Sequence, residues 1–399
     1  MWGMFRFTTT TSTFKPTFAL LALERSGPVF TMKIKPTCPP ASNDLAMTQS
    51  KELIEVLDGG FDEPAITINV LASYLLDNHI VPEHEESIID RIHELFSEVA
   101  IVSGFDGAEE WKVDMQASSG WAISVNEAAR CLLDYRRTGQ FFRGFHKAIC
   151  EAKLKFPGET IEILYAGCGP YAPFFTLIAP LFSPDEVQFT LIEINGDSLT
   201  IAKMLIGEMG MNGYLRDCYE ADATLFQVPD TQRYHILFTE TMDTALEREP
   251  MVSILLNLIP QLRKDVLLVP RNVTVEGVFF REKDLSNGMD GLWNLDNKDE
   301  GYSLGIVMDM DEALKTYLSM PTPEDNIFHE LQLEMPDPSW REYFALFTTV
   351  EIWDGVFLYK NESDITDLRV RKLDDLPACD YINFEYALVD EPMLWFGVS

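Results

Sequence analysis

Between residues 161 and 270 short apolar runs alternate with segments of helical spacing, and that alternation leaves few folds open. The runs at 161–166, 187–193, 214–219, 234–240 and 266–269 read as strands. Between them, 174–181, 197–209 and 250–259 carry apolar residues at helical intervals. This pitch predicts an α/β fold with a Rossmann-like, doubly wound, mainly parallel sheet over residues 158–270. The flanks differ. Upstream, Ile88, Ile89, Ile92, Leu95, Phe96 and Val99 recur at three and four, and 127–152 repeats the pattern, so 48–157 is expected to be a helical N-terminal region. After Pro270 the helical rhythm fades. Segments 273–280, 344–352, 355–359 and 381–389 are rich in aromatic and β-branched residues, which predicts a β-rich, mainly antiparallel C-terminal domain over 271–399.

Residues 1–47 stand apart in composition and are expected to form a mobile extension. Arg6, Lys15, Arg25, Lys33 and Lys35 face only Glu24 and Asp44 there, among threonines and prolines. Such a stretch is either a transit peptide, which sends the chain to an organelle, or sequence upstream of a working start at Met32 or Met47, which leaves it cytoplasmic. The remainder is strongly acidic. The whole chain has 31 Lys and Arg against 64 Asp and Glu, a formal net charge of −33. That field repels phosphate backbones and anionic lipid, and no run of Lys or Arg opposes it, so nucleic-acid and membrane partners are not expected. Ile254 to Leu258 is typical of the longest apolar runs, far short of the ~18 residues a membrane span needs. Six scattered cysteines without a Cys-x-x-Cys pair, and dispersed His79, His84 and His93, lack metal-site spacing, so no metal is expected.

The chemistry begins at Gly167-Cys-Gly169-Pro-Tyr-Ala172, the turn after the first expected strand. Its spacing satisfies the dinucleotide fingerprint, with acidic Glu193 some way on. A dinucleotide's pyrophosphate, however, is held by free N–H groups at the helix start, and Pro170 and Pro173 remove two such donors. A cofactor with an adenosine and no phosphate does not need them, which points to S-adenosyl-L-methionine. Gly167 and Gly169 would admit its methionine end, Glu193 would accept both ribose hydroxyls, and Asp222 after the third strand would accept from the adenine amino group.

Glu240 and Glu249 bracket a loop at the carboxyl end of the fourth strand, where ligands bind in such sheets. Two carboxylates there suit the planar fork of one guanidinium. The stretch Glu240-Thr-Met242 through Glu249-Pro resembles the double-glutamate loop of the protein arginine methyltransferases, which have two glutamates at this separation and a methionine two places after the first. The likeness continues through the following helix to Leu267-Leu-Val-Pro270. Upstream, Asp134-Tyr-Arg-Arg137-Thr138 is similar to the family's Asp-x-x-Arg-Thr helix. Together these motifs cover roughly residues 120–282. The resemblance implies a class I methyltransferase in which Glu240 and Glu249 hold the acceptor and Arg137 holds the cofactor's carboxylate.

The departures bear on the acceptor. Tyr165 stands where the family usually has an acid, and Tyr171 where it has a third glycine. No Thr-His-Trp segment follows, and the tyrosine pair of the family's N-terminal helix is absent, with Phe141, Phe142 and Phe145 available to supply apolar contacts there. Three readings stay open: N-methylation of a guanidino group, in a peptide or an arginine-like compound; N- or O-methylation of another small molecule; and a non-catalytic protein on this fold, with a dinucleotide oxidoreductase as its lesser rival. A protein substrate calls for an acidic groove leading to Glu240, a metabolite for a site closed by the helices of 50–156. Glu247 is expected to be solvated. By analogy with the family's dimerisation arm, the polar insertion 281–300 makes a homodimer the expected assembly.

Overall fold

The computed structural model describes residues 64–77, 80–105, 107–281, 301–320, 326–373 and 379–399, with isolated pieces at 19–20, 35–36, 53, 56–57, 286–287 and 293–294. The chain divides into a unit of residues 1–58 and a unit of residues 59–399. In the first, residues 19–20 pair antiparallel with 35–36; all elements named below belong to the second. The extension at 1–47 and the insertion at 281–300 lie almost wholly outside the described residues.

The N-terminal helices are α1 (Pro64–Leu75), α2 (Pro82–Ala100), α3 (Val125–Arg130) and α4 (Tyr135–Lys155). The spacing over 127–152 reads as a single helix, but the chain breaks it at Asp134. A short 3-10 turn, Cys131–Leu133, leads to that residue, whose carboxylate accepts Arg137 N–H at 3.1 Å and so caps α4. The cap starts a new helix with Arg137 in its first turn.

The central sheet comprises β1 (Ile161–Ala166), β2 (Val187–Glu193), β3 (Leu215–Glu220), β4 (Ile236–Thr239) and β5 (Leu267–Val269). All pairings are parallel, in the order β3-β2-β1-β4-β5. Every residue of β1, β2 and β4 is buried, as a sheet covered on both faces requires. The crossovers are α5 (Pro173–Thr176), α6 (Gly196–Glu208) and α7 (Met251–Leu258). A longer helix was expected over 174–181. Pro180 lies within that span, and the chain makes one α turn followed by a 3-10 turn, Ala179–Leu181.

Phe141 and Phe145 on α4 pack against Phe238 of β4, with ring centroids 6.2 and 4.4 Å apart, and Phe145 also meets Phe189 of β2. Each fully buried phenylalanine stabilises the fold by about 1.5–3 kcal/mol. The aromatic cluster of α4 is thus the glue between helix and sheet. The order of strands reverses between β1 and β4, which opens a crevice at their carboxyl ends.

The C-terminal half holds β6 (Asn272–Phe280), β7 (Tyr302–Asp309), α8 (Met310–Ser319), β8 (Ile327–Glu334), β9 (Tyr343–Trp353), β10 (Val356–Leu358), β11 (Arg369–Lys372), β12 (Tyr381–Ala387) and β13 (Met393–Val398). Its pairings are antiparallel, in the sheets β7-β6-β9-β10, with β11 on β9, and β8-β12-β13. The helix α8 was not expected; Asp309 caps it by accepting Glu312 N–H at 3.1 Å. Among the described residues no helix is long and apolar enough to cross a membrane, and no group of three His, Cys, Asp or Glu is placed to hold a metal ion.

Candidate functional site

The turn after β1 passes Gly167 at φ +74° and Gly169 at φ +63°, both in the left-handed region that suits glycine. Gly167 also approaches the far wall of the crevice. A Cβ there would stand 2.2 Å from Thr241 Cγ2, just beyond β4. Beyond the turn, α5 is a single helical turn that begins at Pro173, and the N–H groups of Phe175 and Thr176 both point to Ala172 O at 2.9 Å. A pyrophosphate would find little here.

Glu193 ends β2 with its side chain buried. Its carboxylate accepts Gly169 N–H at 2.8 Å and Asn195 N–H at 3.0 Å, tying the glycine turn to the next strand. Burial raises its pKa, against the opposing pull of those backbone bonds. Asp222 is occupied more fully. One oxygen accepts Ser118 N–H at 2.8 Å; the other accepts Thr224 N–H at 2.8 Å and the Thr224 hydroxyl at 2.6 Å. Partial burial works to raise the Asp222 pKa, but these bonds outweigh it and hold the pKa below its ordinary value.

Glu240 follows β4 directly, and Glu249 stands two residues before α7. The loop between them is strained: Ala245, Leu246 and Arg248 adopt φ of +53°, +59° and +62°. Left-handed geometry costs about 1–2 kcal/mol for each such residue, so other parts of the chain must hold it. Thr348 of β9 does so from one side, its hydroxyl accepting Ala245 N–H at 2.8 Å and meeting the Thr244 hydroxyl at 3.0 Å. The Tyr386 hydroxyl of β12 donates to Leu246 O at 2.6 Å, and Arg248 N–H donates to Pro392 O at 2.7 Å. Glu247 is not solvated as expected. It is half-buried and lies 3.6 Å from Arg369, which also pairs with Asp243 at 3.3 Å.

Arg137 crosses the crevice to pair with Glu240, and both side chains are nearly buried, at 9% and 8% exposure. Burial disfavours the guanidinium charge, but the adjoining Glu240 carboxylate outweighs it and keeps the arginine pKa above its ordinary value. The second Glu240 oxygen, Oε1, is buried without a hydrogen-bond partner. Glu249 is pushed up to about 8, chiefly by burial, with Arg137 opposing and Glu240 adding to the rise. Arg137 is thus paired with Glu240 alone, and Glu249 lies within its electrostatic reach.

Arg137, Gly167, Gly169, Glu193, Asp222, Glu240 and Glu249 all line a single cleft with about 940 Å³ of empty space, its open mouth included. Phe141, Phe142 and Phe145 do not line it. Cys131, Tyr165, Thr241 and residues 117, 122 and 123 do, and sequence reasoning assigned none of them to the site. Cys131 lies three residues before Asp134, in the 3-10 turn that the helical spacing did not disclose. Its thiol is pushed up to about 12 by burial, against the pull of Arg137.

No protein-family model and no curated protein matches the sequence. Among solved structures, the chain is similar to the Trypanosoma brucei PRMT1 enzyme-prozyme heterotetrameric complex with AdoHcy, at 13% identity over 65% of this chain and 86% of that one, with a TM-score of 0.41. It is also similar to Arabidopsis thaliana protein arginine methyltransferase 10, solved in a uniquely open conformation, at 12% identity over 61% and 84%, with a TM-score of 0.40.

Proposed function

We propose that the chain is an S-adenosylmethionine-dependent methyltransferase that N-methylates a guanidino group, of arginine or of an arginine-like compound. The observation that carries this reading is the convergence of Glu240 and Glu249 on one cleft with Arg137, Glu193 and the glycine turn.

The donor set suits this cofactor. Gly167 and Gly169 bring bare backbone to the cleft, Glu193 keeps acceptor positions beyond the two N–H groups it already binds, and Arg137 has donors beyond the one given to Glu240. Glu193 would hold the ribose hydroxyls and Arg137 the amino-acid carboxylate. When bound, S-adenosylmethionine supplies an electrophilic methyl group on a sulfonium centre. Glu240 and Glu249 then act on the acceptor. Two carboxylates paired with a guanidinium draw its positive charge toward one terminal nitrogen and leave lone-pair density on the other. They also favour the positive charge that the acceptor gains as the nitrogen–methyl bond forms and the methyl–sulfur bond breaks, a charge the acceptor then sheds by releasing that nitrogen's proton to solvent. Holding the acceptor nitrogen in line contributes further, since alignment in well-oriented systems is worth up to about 7–11 kcal/mol.

Incubating the protein with methyl-labelled S-adenosylmethionine and cell extract, then separating labelled protein from labelled metabolite, tests the reading. Label on an arginine-type nitrogen is the expected result. Label on an oxygen or a simple amine overturns the guanidino assignment, and no label with any extract overturns catalysis. Gly167→Ala is expected to weaken S-adenosylhomocysteine binding by about a hundredfold in calorimetry, because the new Cβ meets Thr241 and the φ of +74° resists it. Binding of NAD in preference to S-adenosylhomocysteine would return the chain to the oxidoreductases.

A further inference from the structure

A small hairpin, Met115–Gln116 paired with Trp121–Ala122, closes on itself where Ala117 N–H donates to Gly120 O at 3.0 Å. Ala117 and Ala122 line the cleft. In the turn, Ser118 N–H donates to Asp222. Just after the turn, Trp121 N–H donates to Arg248 O at 2.8 Å. Gly120, buried and at φ +87°, sits so close to the same backbone that a Cβ would stand 2.9 Å from Arg248 O and Pro250 N, and 3.0 Å from the Glu249 carbonyl carbon. Those atoms are main chain and cannot swing aside. Ser119 anchors the hairpin further, meeting the Ser253 hydroxyl of α7 at 2.9 Å and donating to Val389 O at 3.2 Å.

We propose that residues 115–122 form a strap that positions Glu249. Asp222 clasps it through Ser118, while Gly120 and Trp121 seat the peptide between Arg248 and Glu249. Arg248 is one of the left-handed residues of the loop, so its backbone needs partners on both sides. Trp121 N–H holds its carbonyl and Pro392 O holds its N–H. Asp222 is then a positioning residue, acting on the acceptor end of the cleft through the hairpin rather than on an adenine amino group. The inference rests on the assignment of Glu249 as a ligand of the acceptor cation.

The test uses butylguanidinium as the probe, titrated into the full chain loaded with S-adenosylhomocysteine. Gly120→Ala is expected to weaken the probe by about tenfold, the value of one lost charge-assisted bond, while S-adenosylhomocysteine affinity stays within about twofold and reports an intact fold. In a Glu249→Gln background the same change is expected to have no further effect, because a strap that acts through Glu249 has nothing left to place. Asp222→Asn is expected to weaken the probe and spare S-adenosylhomocysteine. Full probe binding in Gly120→Ala, or losses that add to those of Glu249→Gln, would overturn the strap alone. Loss of S-adenosylhomocysteine affinity in Asp222→Asn with the probe unaffected would return Asp222 to the adenine. Unchanged probe binding in Glu249→Gln itself would instead overturn the assignment of Glu249.

Discussion

Glu249→Gln is expected to lower turnover by about a hundred- to a thousandfold, the range seen when one preorganised electrostatic contact is removed, while folding stability at neutral pH holds or rises. The two expectations share one cause. Burial pushes the Glu249 pKa from 4.5 to about 8, so near neutrality the free protein holds this side chain mostly as the neutral acid, which glutamine mimics. Folded protein therefore keeps a proton that the unfolded chain has released throughout roughly pH 5 to 8. In that window the unfolded state binds fewer protons than the native state, so this group makes stability fall as pH rises, and the fall ends once both states are ionised. Urea unfolding of wild type and variant across the window should show the difference between them widening in favour of the variant toward alkaline pH. Turnover runs the other way. Pairing with a guanidinium requires the ionised carboxylate, so kcat/KM of the wild type should climb with pH through a limb near 8. An acceptor cation helps by stabilising the ionised form, much as Arg137 already does. A wild-type profile flat from pH 6 to roughly 9 would remove Glu249 from the reaction.

Where the sequence located a residue of the cleft by its own pattern, that residue is tied to a strand end. Gly167 follows β1, Glu193 ends β2 and Glu240 follows β4, so an apolar run and the polar residue that stops it locate each one. Arg137 was legible only through the likeness of Asp134-Tyr-Arg-Arg137-Thr138 to a family motif, and the cap that Asp134 makes on its helix came to light in the fold. What stayed hidden acts through backbone or across long separations. Gly120 matters because of the main chain it touches, and hydropathy carries no trace of such a contact. Thr348 and Tyr386 hold the strained loop from residues more than a hundred positions away, by single hydroxyls on otherwise ordinary strands. Glu247 was misjudged because the Arg369 that faces it is distant in sequence. Phe141 and Phe145 were offered as apolar contacts in place of a tyrosine pair, and their rings turn to Phe238 and fill the sheet-to-helix core. Helix α8 carried a cap signal in Asp309 and Glu312, but its brevity and its place among strands concealed the helical period.

Neutralising Glu240 is expected to cost the fold as well as the reaction, which separates the two carboxylates of the loop. Arg137 and Glu240 face each other with little access to water. Glu240→Gln leaves the guanidinium buried opposite a neutral amide, and breaking a buried pair from one side typically costs 3–5 kcal/mol; with the amide oxygen still able to accept, about 3 kcal/mol is expected. Adding Arg137→Gln removes the stranded charge, so the double variant should recover most of that stability in urea unfolding. Ligand binding should divide the variants differently. Glu240→Gln keeps the Arg137 donors and is expected to bind S-adenosylhomocysteine while transferring no methyl group. The double variant, though more stable, is expected to bind it poorly, since the amide cannot replace a guanidinium opposite a carboxylate. A double variant no more stable than Glu240→Gln would mean that water or another group relieves Arg137. Strong S-adenosylhomocysteine binding in the double variant would instead release Arg137 from the cofactor and leave it solely as the partner of Glu240.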